Sequence, residues 1–390
     1  MRRGKPEVTA RRLRPFGTTI FTEMSALAAS SGALNLGQGF PDTDGPREIM
    51  QAVSTAMRSG ANQYAPLPGV PELRRAIAEH QLRRYGLEVD PDAGVQVTFG
   101  ATEAIAATML GLLEPGDRVV VLEPFYDSYA ATIAMAGGER RLVTMRPPDF
   151  AVDVDALAAA AQGARMLLLN SPHNPTGRVL TPAELRTIAR ICVEHDLIAV
   201  TDEVYEHLAF DGEHIPLATL PGMAERTLTA SSAGKTFSVT GWKIGWVHGP
   251  TELVQAVRAT KQFLTFVNGA PFQPAVANAL ALPDEFFTGL AESHRHKRDL
   301  LVTGLRAAGL AVNVPDGTYF VTADAAALGW DDAYQLCREL PARAGVVAIP
   351  VQVFHDDPTA APSLLRFAFC KKDEVLTDAV QRLGAADLHR

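Results

Sequence analysis

In the run SSAGKTFSVTGWKIGW, residues 231–246, a glycine, a lysine and a threonine stand in a row. Two chemistries use a lysine in that setting. One is the phosphate-binding loop G-x-x-x-x-G-K-[ST], whose backbone N–H groups cradle phosphates and lead directly into a helix. Counted back from Gly234, its first glycine belongs at position 229, where Thr229 stands. The residues that follow also disfavour a helix, because Thr236 to Trp246 hold β-branched residues, two glycines and two tryptophans. The other chemistry is covalent: an amine that condenses with a carbonyl group. Which applies depends on the company Lys235 keeps.

Three further groups follow apolar runs and so can meet Lys235 at one end of a sheet. Gly100, Ala101 and Thr102 join a strand to a helix start. Free N–H groups and the helix dipole favour an anion such as phosphate there, although small residues also serve plain packing. In SPHNPTG, 171–177, two prolines and a glycine surround Asn174. They make either a rigid surface loop or a fixed hydrogen-bonding arm. Asp202 ends the run LIAVTD, and a carboxylate on a strand buried on both faces needs a partner. A helix cap is one way to supply it, and a cationic heterocycle is another. Tyr205 offers a phenol to the same ligand. Lys235 itself is either a surface charge or an amine on a strand-end loop. An anion site, a carboxylate for a ring nitrogen and an amine form one set in pyridoxal phosphate held by a lysine Schiff base.

The elements that must position these groups are visible between residues 70 and 250. PELRRAIAEHQLRRYG (71–86) reads as an amphipathic helix with Pro near its first turn and Gly86 at its end. VQVTFG (95–100) is a strand and ATEAIAATMLGLLEPG (101–116) a helix. RVVVLEP (118–124), RMLLLN (165–170) and LIAVTDEVY (197–205) are apolar strands, with a helix over 181–196. Apolar strands separated by helices predict a mostly parallel sheet covered on both faces, with ligands beyond its carboxyl ends. After residue 285 the texture changes to a charged helix at 291–309 and strands at 317–322, 345–349 and 364–370, a second, smaller α+β domain. The divisions are an N-terminal arm with part of the small domain at 1–45, a large domain at 46–285 and a small domain at 286–390.

At 390 residues the chain exceeds the usual single core, so two domains are expected. A formal charge of −8 argues against a nucleic-acid surface. The basic start MRRGKPEVTARRLRP lacks the apolar run of a secretory signal and reads as a solvated arm. No stretch reaches the ~18 apolar residues of a membrane span. Cys192, Cys337 and Cys370 lie far apart, matching no metal or redox spacing. A reduced, cytoplasmic protein without a metal site is the expectation.

The blocks LNLGQGFPD, NQYAPLPG, EPFYDSY, NSPHNPTG, TDEVYEHLAFDG, SSAGKTFSVTGWKIGW, GTYF and LLRFAFCKKDE occur in the order found in the class I aminotransferases. The resemblance runs from about residue 11 to 385. It implies the fold type I architecture of pyridoxal 5′-phosphate enzymes: a large α/β domain with a mostly parallel seven-stranded sheet between helices, and a small α+β domain. Within the class the chain resembles the kynurenine, glutamine and methionine aminotransferase branch, and most of all the actinobacterial N-succinyldiaminopimelate aminotransferases of lysine biosynthesis.

That resemblance implies roles. Lys235 is the Schiff-base lysine and moves the proton between substrate and coenzyme. Asp202 faces the pyridine nitrogen, Tyr205 and Asn174 the ring's 3′ oxygen, and Phe125 the ring face. Gly100, Ala101, Thr102, Ser232 and Lys243 surround the phosphate. Lys243 stands where many relatives have arginine. Tyr64 reaches the phosphate of a neighbouring subunit, which implies a homodimer. Arg366, an arginine in the apolar strand LLRFAF, clamps the substrate's α-carboxylate, with Gly39 and Asn174 beside it. Amino acid and 2-oxo acid substrates react in ping-pong fashion. A succinylated substrate requires a second cation, for which Arg178 and Lys261 are the candidates. Phe16, Phe21, Phe266 and Tyr319 are the candidates for an aromatic pocket suited to kynurenine or methionine. A β-lyase acting on cysteine S-conjugates and a non-catalytic binding protein are the alternatives.

Overall fold

The computed structural model describes residues 8–390, so the first seven residues of the basic arm lie outside the described residues. Thirteen strands follow in chain order: β1 Leu34–Asn35, β2 Val95–Phe99, β3 Arg118–Glu123, β4 Glu139–Thr144, β5 Met166–Asn170, β6 Ile198–Asp202, β7 Thr227–Ser232, β8 Ile244–His248, β9 Ala311–Asn313, β10 Phe320–Asp324, β11 Val346–Val347, β12 Ile349–Pro350 and β13 Leu364–Ala368.

Seven of them form one sheet in the order β2-β8-β7-β6-β5-β3-β4. Only β8 runs against its neighbours, pairing antiparallel with both β2 and β7. Apolar runs gave β3, β5 and β6 their place in the middle, since both faces of these strands are buried under helices. The parallel register sets Asn170 opposite Asp202, and Asp202 opposite Ala230, so the polar residues that end β5, β6 and β7 lie along one edge.

The helices begin and end where local chemistry dictates. Pro71–Tyr85 opens with Pro at its first position and stops at Gly86, whose φ of 66° suits a left-handed C-cap. Pro182–Glu194 starts on a capping box in which Thr181 and Glu184 satisfy each other's backbone N–H groups. Gly100–Leu112 crosses beneath β7 and β8, and its Gly100 has φ of 75°. A charged amphipathic helix covers Asp284–Ala307, beginning earlier than 291 because Pro283 supplies the break before it.

A four-stranded antiparallel sheet, β12-β13-β10-β9, lies in the C-terminal part. The short β1 pairs in parallel with β11, and the Ala368 N–H donates to the Leu36 carbonyl at 2.6 Å. Residues 34–36 therefore attach to C-terminal elements rather than to the seven-stranded sheet. Among the described residues no helix is long and apolar enough to cross a membrane.

Candidate active site

A cavity of about 360 Å³ opens at the carboxyl ends of β5, β6 and β7 and at the start of helix Gly100–Leu112. Asp202 lies on its floor as the last residue of β6. Burial lifts its carboxyl to about 6, opposed by the Tyr129 hydroxyl, the Val204 N–H and the nearby Lys235. Tyr129 donates to Oδ2 at 2.6 Å and the Val204 N–H to Oδ1 at 3.4 Å. A carboxylate held this way still lacks a full cationic partner. Beside it, the Asn170 amide donates to the Asp202 carbonyl and its Oδ1 accepts the Asn174 N–H, both at 2.7 Å. Asn170 thus ties the proline-rich loop to the sheet.

Lys235 sits on a single helical turn, Ala233–Thr236, directly after β7. Sequence reasoning expected a loop here. One turn is too short to show a periodicity, and Gly234 allows the turn to pack on the Thr240 backbone, which a Cβ would meet at 3.1 Å. The Lys235 Nζ lies 5.9 Å and 5.8 Å from the ring centres of Tyr205 and Tyr319. It makes no hydrogen bond to a described residue, and burial lowers its pKa. A neutral amine is therefore easier to reach at this position than at a surface lysine.

At one end of the cavity are Gly100, Ala101 and Thr102, with Ser232 and Lys243 alongside. A Cβ on Gly100 would lie 3.1 Å from the Lys243 Nζ, so the glycine lets the ammonium come close to the helix start. Glu103 does not oppose an anion there, since it turns back to accept the Phe99 N–H at 2.6 Å and Thr265 Oγ1 at 2.7 Å. At the other end Arg366 is 1% exposed, with Nη1 donating to Asn174 Oδ1 and Nη2 to the Gly37 carbonyl, both at 2.9 Å. Its guanidinium lies 4.0 Å from the Phe320 ring centre and 4.9 Å from that of Phe354. Burial lowers its pKa to about 10, so it stays charged at neutral pH, and its Nε has no partner.

Several expected residues lie elsewhere. Phe125 does not face the cavity: it is packed in the core, its N–H donates to the Phe354 carbonyl at 3.0 Å, and Tyr126 forms the wall instead. Side-chain direction changes with each residue once the chain leaves β3, so a one-residue offset exchanges core and cavity. Lys261 is fully buried away from the cavity, donating to Thr265 Oγ1 and the Phe266 carbonyl, 3.6 Å from Glu103. Arg178 grips both oxygens of Glu184 at 2.7 Å and also the Asp149 carbonyl. Neither supplies a second cation to the cavity. Tyr64 is 84% exposed and meets Phe266 edge to face at 5.6 Å, outside the cavity of its own chain. Of the proposed aromatic pocket, Phe21 lines the cavity, Phe16 lines a neighbouring one, and Tyr319 is buried behind Tyr205.

Sequence reasoning gave no role to Tyr126, Tyr129 or Asn170. The spacing of Tyr126 and Tyr129 in EPFYDSY, three apart at a helix start, was the available signal. A separate group, His80, Glu206 and His207, lies buried with ligand atoms close together. There the two imidazoles share a contact of 3.0 Å, and Arg83 and Arg84 make the surroundings cationic.

The family model for aminotransferase class I and II matches residues 31–383. The chain belongs to that family. It is 53% identical over 389 residues to the probable N-succinyldiaminopimelate aminotransferase of Mycobacterium tuberculosis, covering 97% of this chain and 98% of the relative. The solved N-succinyldiaminopimelate aminotransferase of that organism superposes with a TM-score of 0.94 at 53% identity, over 96% of this chain and 99% of the other. The methionine aminotransferase of Escherichia coli is 40% identical, with 97% of this chain and 98% of the relative covered. The chain is accordingly a fold type I, pyridoxal phosphate-dependent aminotransferase. The aminotransferase cavity fits that coenzyme on its own terms: a helix start with a nearby ammonium for a phosphate, an under-compensated buried carboxylate for a cationic ring nitrogen, and an unpartnered amine between them.

Proposed function

We propose that this aminotransferase moves the amino group between N-succinyl-L,L-2,6-diaminopimelate and 2-oxoglutarate. The observation that carries the catalytic part is the Lys235 amine, left without a hydrogen bond in the same cavity as Asp202 and Arg366. The substrate rests on the 53% identical relatives and on a second cavity of about 620 Å³ that shares Phe21 and Tyr126 with the first. A coenzyme would take up much of the first cavity, and a substrate with a long acylated arm would extend into the second.

When bound, the coenzyme supplies a ring that withdraws electrons and makes the substrate's α-proton acidic. Lys235 Nζ would accept that proton from the α-carbon and hold it for return, a task for an amine with a lowered pKa. Asp202, oriented by Tyr129, would face the ring nitrogen as a carboxylate. Tyr205 and Asn174 would hydrogen-bond the ring oxygen. Gly100, Ala101, Thr102, Ser232 and Lys243 hold the phosphate. Arg366, stacked on Phe320 and kept apart from water, clamps the α-carboxylate, with Gly39 beside it. Tyr126 closes the ring face in place of Phe125.

The exposed Tyr64, Phe263 and Phe266 support a homodimer in which Tyr64 reaches the neighbouring site. A cytoplasmic location agrees with three free, buried cysteines. A second reading, transfer from an uncharged amino acid such as methionine, has one observation in its favour: Arg178 and Lys261 are both engaged away from the cavity. Turnover of N-succinyl-diaminopimelate, methionine, glutamine and kynurenine with 2-oxoglutarate tests the choice. The expected result is a kcat/KM at least tenfold higher for the succinylated substrate, about 1.4 kcal/mol. Equal or better use of methionine contradicts it.

A further inference from the structure

Gln38, Gly39 and Phe40 line one wall of the cavity, and side chains from the C-terminal part hold the carbonyls of Gly37, Gly39 and Phe40. Arg366 Nη2 donates to the Gly37 carbonyl at 2.9 Å, the Tyr319 hydroxyl to the Gly39 carbonyl at 2.6 Å, and Lys371 Nζ to the Phe40 carbonyl at 2.7 Å. On the N–H side, Gly37 and Gln38 are satisfied by Asn35 Oδ1 at 3.0 Å and 3.2 Å. The N–H groups of Gly39 and Phe40 donate to no described residue, although both residues line the cavity. Two backbone donors are thus kept available beside a buried guanidinium, which is an arrangement for an anion.

Tyr319 is held firmly in place, and its hydroxyl lies beside that of Tyr205 as well as the Gly39 carbonyl. It is fully buried, meets Tyr205 edge to face at 5.2 Å and Phe320 at 4.9 Å, and is stacked by His294 at 6.3 Å. Its ring and that of Phe320 also occupy the space a Cβ on residue 39 would need, so Gly39 must be glycine for this contact to exist. The hydroxyl therefore reaches one carbonyl of the wall from a rigid position.

We propose that Tyr319 is a positioning residue whose hydroxyl, by holding the Gly39 carbonyl, aims the Gly39 and Phe40 N–H groups at the substrate carboxylate bound by Arg366. The proposal rests on the reading of Arg366 as the carboxylate clamp. Removing the hydroxyl leaves a buried carbonyl without its donor and loosens the wall, while the phenyl ring preserves the packing.

The test uses the coenzyme-loaded enzyme and glutarate, an unreactive analogue of 2-oxoglutarate. Tyr319→Phe should bind glutarate about tenfold more weakly, raise KM for both substrates by a similar factor, and change kcat by less than about threefold. Amide hydrogen exchange over residues 37–42 should quicken. Lys371→Met, which removes the anchor at Phe40, should weaken glutarate binding in the same direction. Unchanged glutarate affinity in Tyr319→Phe overturns the proposal whatever the exchange shows. Arg366→Lys separates the two layers: if it alone loses glutarate, only the Tyr319 assignment fails, and if it too binds glutarate normally, the underlying carboxylate reading fails.

Discussion

Lys261 and Lys235 are two lysines withdrawn from bulk water and treated in opposite ways. Lys261, at the end of helix Thr251–Lys261, donates to a hydroxyl and a carbonyl and faces the Glu103 carboxylate at 3.6 Å. Lys235, on its single turn after β7, has the rings of Tyr205 and Tyr319 near its ammonium and a cavity in front of it. Burial lowers the pKa of both; at Lys235 Cys370 and Asp202 oppose the shift through charge alone, whereas at Lys261 Glu103 opposes it through charge and a hydrogen bond. A buried ammonium that is to remain an ammonium needs such partners. An amine that must attack a carbonyl and later carry a proton is hindered by them. What distinguishes a reactive lysine here is the absence of hydrogen-bonding partners rather than burial itself.

The contrast breaks first at the lysines themselves. Lys235→Ala should lower kcat by roughly 10⁴-fold, the upper range for loss of a positioned proton carrier, with the fold intact by circular dichroism. Lys261→Met should leave kcat/KM within about threefold but cost about 3 kcal/mol in denaturant unfolding, because Glu103 is left buried without its cation. The reverse pattern would place the chemistry at the wrong lysine.

Asp202 sharpens the same point from the acidic side. In the coenzyme-free protein its carboxyl sits near 6 against an ordinary 3.8, so between those values the folded form holds a proton that the unfolded form has lost. Its contribution to stability therefore falls as pH rises from about 4 to about 6, by about 3 kcal/mol for a shift of roughly two units. Asp202→Asn should flatten that part of the unfolding profile. Saturating coenzyme should remove the slope in the wild type as well, since a ring cation favours the ionised form. Identical slopes in the two coenzyme-free proteins would show that Asp202 is not the group responsible.

A smaller effect is expected at Lys243, a point charge beside the helix start rather than a fork. Lys243→Met should weaken coenzyme binding about tenfold in a titration of the absorption band, with little change in thermal stability. Lys243→Arg should restore it.

Much of this architecture was legible before any coordinates. Fully apolar runs announced β3, β5 and β6, and Gly86 marked its helix end, because these signals are local. The convergence of Gly100, Asp202 and Lys235 was legible too, since parallel strands bring the polar residues that follow them to one edge. Partners distant in the chain were not. Nothing near Lys261 or Arg178 in sequence says that Glu103 or the Asp149 carbonyl will claim them. The exchange of Phe125 for Tyr126 turned on the direction of one residue past a strand end, which no periodicity determines. The antiparallel course of β8 was likewise hidden, because an apolar strand reads the same in either direction.

Borohydride reduction of the coenzyme-loaded protein, followed by peptide mass mapping, tests the central assignment most directly. A coenzyme-sized mass fixed on the peptide containing Lys235, and absent from those containing Lys243 and Lys261, is the predicted result. Label on another lysine, or none after loading with pyridoxal phosphate, would contradict it.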